Sequence, residues 1–245
     1  MVSWFGHEGD ALARALDLPQ VVAARRVEST MDAAHLLAAD GAPAGTLVLA
    51  EEQQNGRGRS GKIWRSAPRA GIWMTLIERP RNGEAIEVLS LRVGLALAPV
   101  LERWMPRAIQ LKWPNDLLVD GRKLAGVLIE ARWRNARPDW VAIGIGINLT
   151  VTADQPLAIA LQAADPRDVL AECLPTVRAA AFAEGALSDA ELAAFATRDV
   201  ALGRSVAEPA AGTARGISSS GALLVETVGG VTACRAGSLV LSPLS

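Results

Sequence analysis

The alternation of apolar and polar positions predicts helices and strands along the first two thirds of the chain. Apolar residues recur at helical spacing between Ser29 and Gly41, so a helix is expected there. Ser29 and Asp32, a hydroxyl and an acid three residues apart, resemble a capping box. Short apolar runs predict strands at 46–50, 71–77, 109–113, 123–130 and 140–149. Residues 1–20 are interpreted as a short lead-in.

Two longer segments, 87–104 and 166–198, are predicted to be helical. A kink or a break is expected at Pro99, and Pro175 is expected to interrupt or begin a helix, because an interior proline removes a helical hydrogen bond. Asp120-Gly121 predicts a type I′ hairpin turn. Beyond about residue 200, short strands between glycines and serines predict a small β-barrel: 205–207, 213–217, 222–227, 230–235 and 238–241.

Composition narrows the classes of protein that fit this pattern. The chain has 245 residues, half of them apolar, which suits one large domain or a large and a small one. A net charge of −1 argues against a general nucleic-acid binder. Two distant cysteines disfavour disulfides and structural zinc, and His7 and His35 are expected to be surface or capping residues. No apolar run is long enough for a membrane span and no signal pattern is present, so a cytoplasmic protein is expected.

The segment 56–64 combines three glycines, three cations and an indole with no acid. Glycine allows close backbone approach to a ligand, and the arginine fork suits phosphate. We interpret it as a loop over a phosphorylated, aromatic ligand such as a nucleotide. A solvated basic loop or a non-specific nucleic-acid contact is the alternative.

The strand 143–148 alternates isoleucine with Gly144, Gly146 and Asn148. Since side chains alternate between faces, the isoleucines should enter the core and the glycines should leave a groove floored by backbone. A glycine within a strand often marks the close approach of a ligand. Close packing of a helix on that face is the alternative.

Three further features could serve such a groove. The run 112–116 places a base, an indole, an amide and an acid at a strand end, although an ordinary turn would also account for it. Lys123 follows the hairpin turn among apolar neighbours and either reaches solvent or points into the groove. Gln53 and Gln54, before the basic loop, can both donate and accept hydrogen bonds.

In order, the motifs Ser29-Thr30, Gln53-Gln54-x-Gly-Arg-Gly-Arg, Lys112-Trp-Pro-Asn-Asp, Lys123-Leu-Ala-Gly and Gly144-x-Gly-Ile-Asn resemble those of biotin protein ligases. The resemblance covers about residues 25–150, and the segment after about 200 is similar to the small domain of that family. It implies an α+β fold: a catalytic domain related to class II aminoacyl-tRNA synthetases over 1–199 and an SH3-like β-barrel over 200–245. The N-terminal winged helix of some relatives is expected to be missing, as in the monofunctional type.

The resemblance also implies a reaction. Biotin and ATP with Mg²⁺ would give biotinyl-5′-AMP and pyrophosphate, and the acyl group would pass to a lysine of a biotin carboxyl carrier domain of acetyl-CoA carboxylase or a related carboxylase. No DNA or membrane partner is expected, and the sequence leaves open whether the protein forms a homodimer. No metal site formed by the protein alone is expected; Mg²⁺ would come with ATP, near Asp116.

Roles follow from the resemblance for individual residues. The catalytic residues would be Lys123, Arg57 and Asp116. The biotin-binding residues would be Ser29, Thr30, Gln53, Gly56, Arg57, Arg59, Lys123, Gly126, Gly144 and Gly146. The residues for ATP and the adenylate would be Arg57, Arg59, Lys62, Trp64, Asn115 and Asn148. The chain departs from the family pattern at Met31, usually Asn, at Lys62, often Arg, and at Ser60, often basic.

Two alternatives to this function stay open from the sequence. A lipoate ligase or octanoyltransferase shares the fold relationship and also modifies a carrier lysine. A non-catalytic nucleic-acid-binding module using the basic loop is the rival from another class. The glycines and like charges of the loop predict that it is mobile without ligand and becomes ordered on adenylate binding.

Overall fold

The computed structural model describes residues 3–151 and 155–242. Its helices are α1 Gly9–Ala15, α2 Thr30–Ala39, α3 Leu89–Leu101, α4 Pro166–Phe182 and α5 Asp189–Ala196. The strands of the first two thirds are β1 Ser3–Trp4, β2 His7–Glu8, β3 Gln20–Val27, β4 Thr46–Gln53, β5 Gly71–Glu78, β6 Gln110–Lys112, β7 Asp116–Val119, β8 Arg122–Arg134 and β9 Arg137–Asn148. The C-terminal strands are β10 Ser205–Glu208, β11 Gly212–Ile217, β12 Leu223–Thr227, β13 Gly230–Cys234 and β14 Val240–Leu241.

A seven-stranded mixed sheet in the order β3-β4-β5-β9-β8-β7-β6 forms the centre. β3 and β4 run parallel, and the other described neighbours in this sheet are antiparallel. The predicted hairpin turn is confirmed: Asp120 and Gly121 both have positive φ, 50° and 74°. β3 was not predicted. Residues 3–15 form β1, β2 and α1 and bury Trp4 and Leu12 in the main core, so the interpretation of residues 1–20 as a lead-in is wrong.

The two faces of the sheet differ in what covers them. Ile143, Ile145 and Ile147 lie in the main hydrophobic core, as predicted, on the side packed by α3 and α4. On the opposite face α2 packs over β4, β5 and β9, with a second small apolar cluster that includes Ala34 and Trp140. Because α2 covers only part of this face, the remainder is available to form a site.

The start of α2 differs from the predicted capping box. Ser29 is the N-cap, and its Oγ accepts a hydrogen bond from the backbone N–H of Met31 at 3.2 Å. The Asp32 carboxylate instead accepts a hydrogen bond from the Arg57 guanidinium. Asp32 therefore pairs with Arg57 of the basic loop and does not complete a capping box with Ser29.

The two interior prolines do not end their helices. α3 continues through Pro99 to Leu101, so a break there is excluded, and the alternative of a kink stays a prediction. α4 continues through Pro175 to Phe182, so the prediction that Pro175 interrupts or begins a helix is wrong. Buried residues after each proline, such as Leu101 and Val177, anchor the following turn in the core. α4 begins instead at Pro166, where the missing N–H costs nothing because first-turn N–H groups lack helical partners.

The C-terminal strands form a small antiparallel sheet in the order β13-β12-β11-β10-β14. Val206, Val225 and Leu239 belong to the same hydrophobic core as the large sheet. The Trp113 indole N–H donates to the carbonyl of Gly221 at 2.9 Å. The fold is therefore α+β, a mixed sheet with helices joined to a small β domain. In the described ranges, none of the helices combines the length and apolar character required to cross a bilayer.

Candidate active site

A cavity of about 240 Å³ lies on the sheet face beside α2. Its walls come from the start of α2, the basic loop, the turn at Trp113-Pro114, β8, β9 and the segment Gly237 to Leu239 of the small β domain. Segments far apart in sequence thus meet around one opening.

One end of the cavity is a recess of buried hydroxyl and amide groups. Thr75 donates to Thr30 Oγ1 at 2.9 Å, and Thr30 Oγ1 donates to Gln53 Oε1 at 3.0 Å. The Thr30 backbone N–H donates to the same Gln53 oxygen at 2.8 Å. Gln53 Nε2 then donates to Ser66 Oγ at 2.7 Å, while Ser29 is also almost fully buried nearby. These mutual hydrogen bonds fix the direction of each polar group and favour a small ligand with donors and acceptors.

The floor between the two ends is made of glycines, as predicted, and side chains of the chain itself approach it. A Cβ at Gly146 would lie 2.5–2.6 Å from the Trp64 indole, and one at Gly126 would lie 2.8 Å from it. A Cβ at Gly144 would lie 2.7 Å from Met31 Cε, on α2. At Gly144 the close neighbour is a helix, as the alternative interpretation of this strand predicted. At Gly126 and Gly146 the close neighbour is the Trp64 indole of the basic loop.

The other end of the cavity carries concentrated charge. Lys123 Nζ lies 2.6 Å from Asp116 Oδ1 and 4.6 Å from the centre of the Trp64 ring. Burial lowers the pKa of the Arg59 guanidinium from its usual value, and the Asp116 charge partly opposes that effect. Arginine nevertheless stays protonated in proteins. Two cations against one acid give this end a net positive charge, which suits an anionic group.

The position of Lys123 depends on its backbone contacts. Its N–H donates to the Leu157 carbonyl at 2.7 Å, and its carbonyl accepts from Ile159 N–H at 2.9 Å. The Asn148 amide Nδ2 also donates to that carbonyl, at 3.0 Å, and to the Ile159 carbonyl at 3.1 Å. The strand pair and a neighbouring segment therefore hold the lysine in place.

The basic loop is folded on itself. Trp64 N–H donates to the Gly56 carbonyl and Gly58 N–H to the Lys62 carbonyl, both at 2.8 Å. A Cβ at Gly56 would collide with the Trp64 carbonyl oxygen, so glycine is needed there for the loop to close. Lys62 Nζ reaches Ser238 Oγ of the small β domain at 3.3 Å. The predicted mobility of this loop stays a prediction.

Most of the predicted residues lie around the one cavity. Its lining includes Ser29, Thr30, Gln53, Arg57, Arg59, Lys62, Trp64, Asn115, Asp116, Lys123, Gly126, Gly144 and Gly146. Of the predicted residues, all within the described ranges, Gly56 and Asn148 are outside that lining. Asn115 donates through Nδ2 to the Val127 carbonyl of β8 at 2.8 Å. One of its side-chain N–H groups is therefore used to fix the start of β7 to β8.

Several residues at the site were missed from the sequence. Thr75 is fully buried and lines the cavity, and its signal was a single hydroxyl within an apolar strand. Glu130 and Asp32 bind Arg57 through Oε1 and Oδ1, at 2.6 and 2.5 Å. His35, expected at the surface or in a cap, is in the middle of α2 and contacts Glu130, so that prediction is wrong. Nothing local in the sequence indicated these pairings.

Among the described residues, the cavity lining holds one carboxylate that could bind a metal ion. Among residues 3–151 and 155–242, no three His, Cys, Asp or Glu side chains come together as a metal cluster. Asp116 is the carboxylate in the cavity lining. Mg²⁺ is commonly held by one or two carboxylates together with substrate phosphates, and Asp116 fits that arrangement.

The comparisons with known proteins agree with this architecture. The model of the biotin/lipoate A/B protein ligase family matches residues 23–148, and the chain belongs to this family. It is 33% identical to the biotin–[acetyl-CoA-carboxylase] ligase of Mycobacterium tuberculosis over 215 residues, which cover 80% of this chain and 79% of that protein.

Other relatives match over shorter or more divergent stretches. The bifunctional ligase/repressor BirA of Bacillus spizizenii is 40% identical over 129 residues, 52% of this chain. That match spans only 40% of the BirA length. Among solved structures, the biotin protein ligase of Aquifex aeolicus in complex with biotin and ATP superposes with a TM-score of 0.74 at 25% identity, covering 91% of this chain and 97% of that one.

Proposed function

We propose that this chain is a biotin protein ligase, which uses ATP to convert biotin to biotinyl-5′-AMP and then transfers the biotinyl group to a carrier lysine. One observation carries the proposal: a buried recess of hydroxyl and amide groups on β4 and β5 and a charged cluster on β7 and β8 lie on opposite sides of β9 in one glycine-floored cavity. Biotin has the matching polarity, with a hydrogen-bonding ureido ring at one end and a carboxylate at the other.

The recess would bind the ureido ring. Ser29, Thr30 and Gln53 offer hydroxyl and amide groups that can donate or accept. Thr75 and Ser66, which hold Thr30 and Gln53 by hydrogen bonds, orient those groups before the ligand arrives. Gly126 and Gly146 would leave room for the rings and the acyl tail once the Trp64 indole, which covers both glycines in the structure, moves away. Gly144, which faces Met31, would border the same space.

The cationic end would stabilise the first step. A carboxylate oxygen of biotin attacks the α-phosphorus of ATP, the bond to the β-phosphate bridge breaks, and pyrophosphate leaves. Lys123, Arg57 and Arg59 would stabilise the charge that develops on the phosphorus oxygens, which is commonly a large contribution to catalysis. Holding the two reactants in line supplies a further share, since association entropy is then lost on binding rather than in the reaction.

In the second step the amine of the carrier lysine attacks the acyl carbon, AMP leaves with the bonding electrons, and the amine loses a proton. Trp64, Lys62 and Asn115 would bind the adenylate, and Asn148 would contribute by holding the Lys123 carbonyl. Mg²⁺ bound to the ATP phosphates and near Asp116 would supply charge neutralisation. A biotin carboxyl carrier domain of a carboxylase is the proposed acceptor.

The finer architecture belongs to the same proposal. The catalytic unit, residues 1–199, would be related to class II aminoacyl-tRNA synthetases, and residues 200–245 would form an SH3-like barrel. The five antiparallel strands of the C-terminal sheet, β10 to β14, support the proposal of an SH3-like barrel. We place the enzyme in the cytoplasm and propose neither DNA nor membrane as a partner. Light scattering of the pure protein will decide whether it forms a homodimer.

Intact-mass measurement tests the activity. The protein is incubated with ATP, Mg²⁺, biotin and a carrier domain, and the carrier is expected to gain one biotinyl group on a single lysine. Lys123→Ala should abolish most of this gain, whereas Arg122→Ala, a neighbouring exposed cation outside the cavity lining, should retain it. Modification with lipoate but not biotin would favour the lipoate ligase alternative, and salt-sensitive DNA retention without ATP turnover would favour the nucleic-acid module.

A further inference from the structure

Arg57 lies between two carboxylates that belong to different elements. NH1 donates to Asp32 Oδ1 at 2.5 Å on α2, and NH2 donates to Glu130 Oε1 at 2.6 Å on β8. Two of the five guanidinium N–H donors are therefore used, one from each terminal nitrogen. An anionic ligand that needs either of these two donors must displace the carboxylate that holds it.

The two carboxylates differ in how firmly they are held. The Asp32 side chain is 52% exposed, whereas that of Glu130 is 19% exposed. The second oxygen of Glu130, Oε2, lies 3.0 Å from His35 Nε2. Glu130 is therefore bonded on both oxygens, and water can replace Arg57 more readily at Asp32.

The tautomer of His35 follows from its other neighbour. The Trp140 indole N–H lies 2.9 Å from His35 Nδ1. An indole nitrogen can only donate, so Nδ1 must accept and the imidazole proton lies on Nε2, where it is donated to Glu130. Trp140 is buried in the small apolar cluster under α2. The series of hydrogen bonds from Trp140 through His35 and Glu130 to Arg57 therefore starts from a fixed side chain.

We propose that His35 and Trp140 are positioning residues for Arg57, acting through Glu130, and that Asp32 is a temporary partner that the anionic ligand displaces. This inference rests on the proposed function for the identity of the anion, the phosphates of ATP. Arg57 keeps its bond to Glu130 throughout and exchanges the Asp32 carboxylate for a phosphate oxygen. The two carboxylates on one guanidinium therefore have opposite effects on the reaction.

Biotin-dependent pyrophosphate exchange tests this difference. Glu130→Gln and His35→Leu are expected to lower kcat about tenfold or more, with little change in the KM for ATP, because a displaced catalytic group loses its alignment. His35→Gln, whose amide can donate to Glu130, should recover part of kcat. Asp32→Asn should instead lower the KM for ATP about two- to fivefold, the range for loss of an exposed ion pair. Leu36→Ala, an exposed position on the same helix, is the matched control and should behave as the unmodified protein.

A second measurement does not depend on catalysis. The chain has two histidines, so ¹H–¹⁵N correlation spectra of the imidazoles can be assigned with a His7→Gln variant. The ligand-free protein should show His35 as the neutral Nε2–H tautomer, and Trp140→Phe should allow both tautomers. An Nδ1–H tautomer in the unmodified protein, or the same change in kcat and KM for Asp32→Asn and Glu130→Gln, would overturn the inference. Absence of biotin-dependent exchange in the unmodified protein with the expected tautomer present would instead reject the proposed function.

Discussion

The contact between Gly146 and Trp64 gives a sharp quantitative prediction for Gly146→Ala. The new Cβ would meet three atoms of the rigid indole at 2.5–2.6 Å, so the ring must leave the glycine floor. In leaving, it loses an edge-to-face contact with Trp73, at 6.3 Å between ring centres, and the Lys123 ammonium at 4.6 Å. These contacts contribute about 0.5–1.5 and about 0.5–1 kcal/mol. Overpacking by one methyl group costs about 1–3 kcal/mol, which agrees with their sum.

Gly144→Ala is the matched control, since it lies two residues away on the same face of β9. Its Cβ would meet the terminal methyl of Met31, which can turn away into the cavity. Both substitutions make the unfolded chain less flexible, which stabilises each variant by the same amount, about 0.5–1 kcal/mol. This contribution cancels when the free energies of unfolding of the two variants are subtracted. Gly146→Ala is therefore expected to be less stable than Gly144→Ala by about 1–3 kcal/mol.

Urea unfolding followed by far-ultraviolet circular dichroism measures this difference, with equal m-values as the condition for comparison. The cost of Gly146→Ala should disappear in a Trp64→Ala background, because the ring that clashes is then absent. Equal stability of the two glycine variants within about 0.5 kcal/mol, or a cost that persists without the indole, would refute the assignment of Trp64 to the glycine floor.

Three further predictions concern the cations and the fold. Lys123→Ala should slow adenylate formation at least about a hundredfold while changing biotin binding much less, because the charge it stabilises appears in the transition state; unchanged pre-steady-state adenylation would contradict this. Trypsin should cut the segment 56–65 more slowly when biotinyl-AMP is bound, and equal rates would argue against ordering of the loop. A hydrogen bond from Arg198 holds the pKa of Glu102 below its usual range, so this carboxylate stabilises the fold above the ordinary carboxyl pKa and the benefit is lost as pH falls through the lowered value. The stability difference between the unmodified protein and Glu102→Gln should therefore shrink in acid, and a difference independent of pH would exclude this linkage.

Much of the site could be predicted because its signals are local. The Asp120-Gly121 turn follows from the positive φ that both positions adopt, and the faces of β9 follow from the alternation of side chains along a strand. The N-cap at Ser29 was likewise indicated by its own side chain. In each case the interaction that decides the structure spans only a few residues.

The failures involve contacts that are distant in sequence. Thr75 is a hydroxyl residue within an apolar strand, and its sequence neighbours indicate no special role. Its role depends on Thr30 of α2, which lies beside it only in the folded protein. Pro99 reads as a helix breaker, but the packing of Leu101 in the core outweighs the lost hydrogen bond.

The sequence by itself determined which residue types could form a cationic, glycine-floored site, and it placed them in order along the chain. Only the tertiary structure decided that Arg57 pairs with Asp32, 25 residues away, and with Glu130, 73 residues away, rather than with other acids. Periodicity and turn chemistry act over one or two turns of chain, whereas ionic partners are selected by strand register and by the side of the sheet on which α2 packs. The order of residues along the chain is compatible with several strand registers and with α2 on either side of the sheet. The packing of the core selects one register and one side.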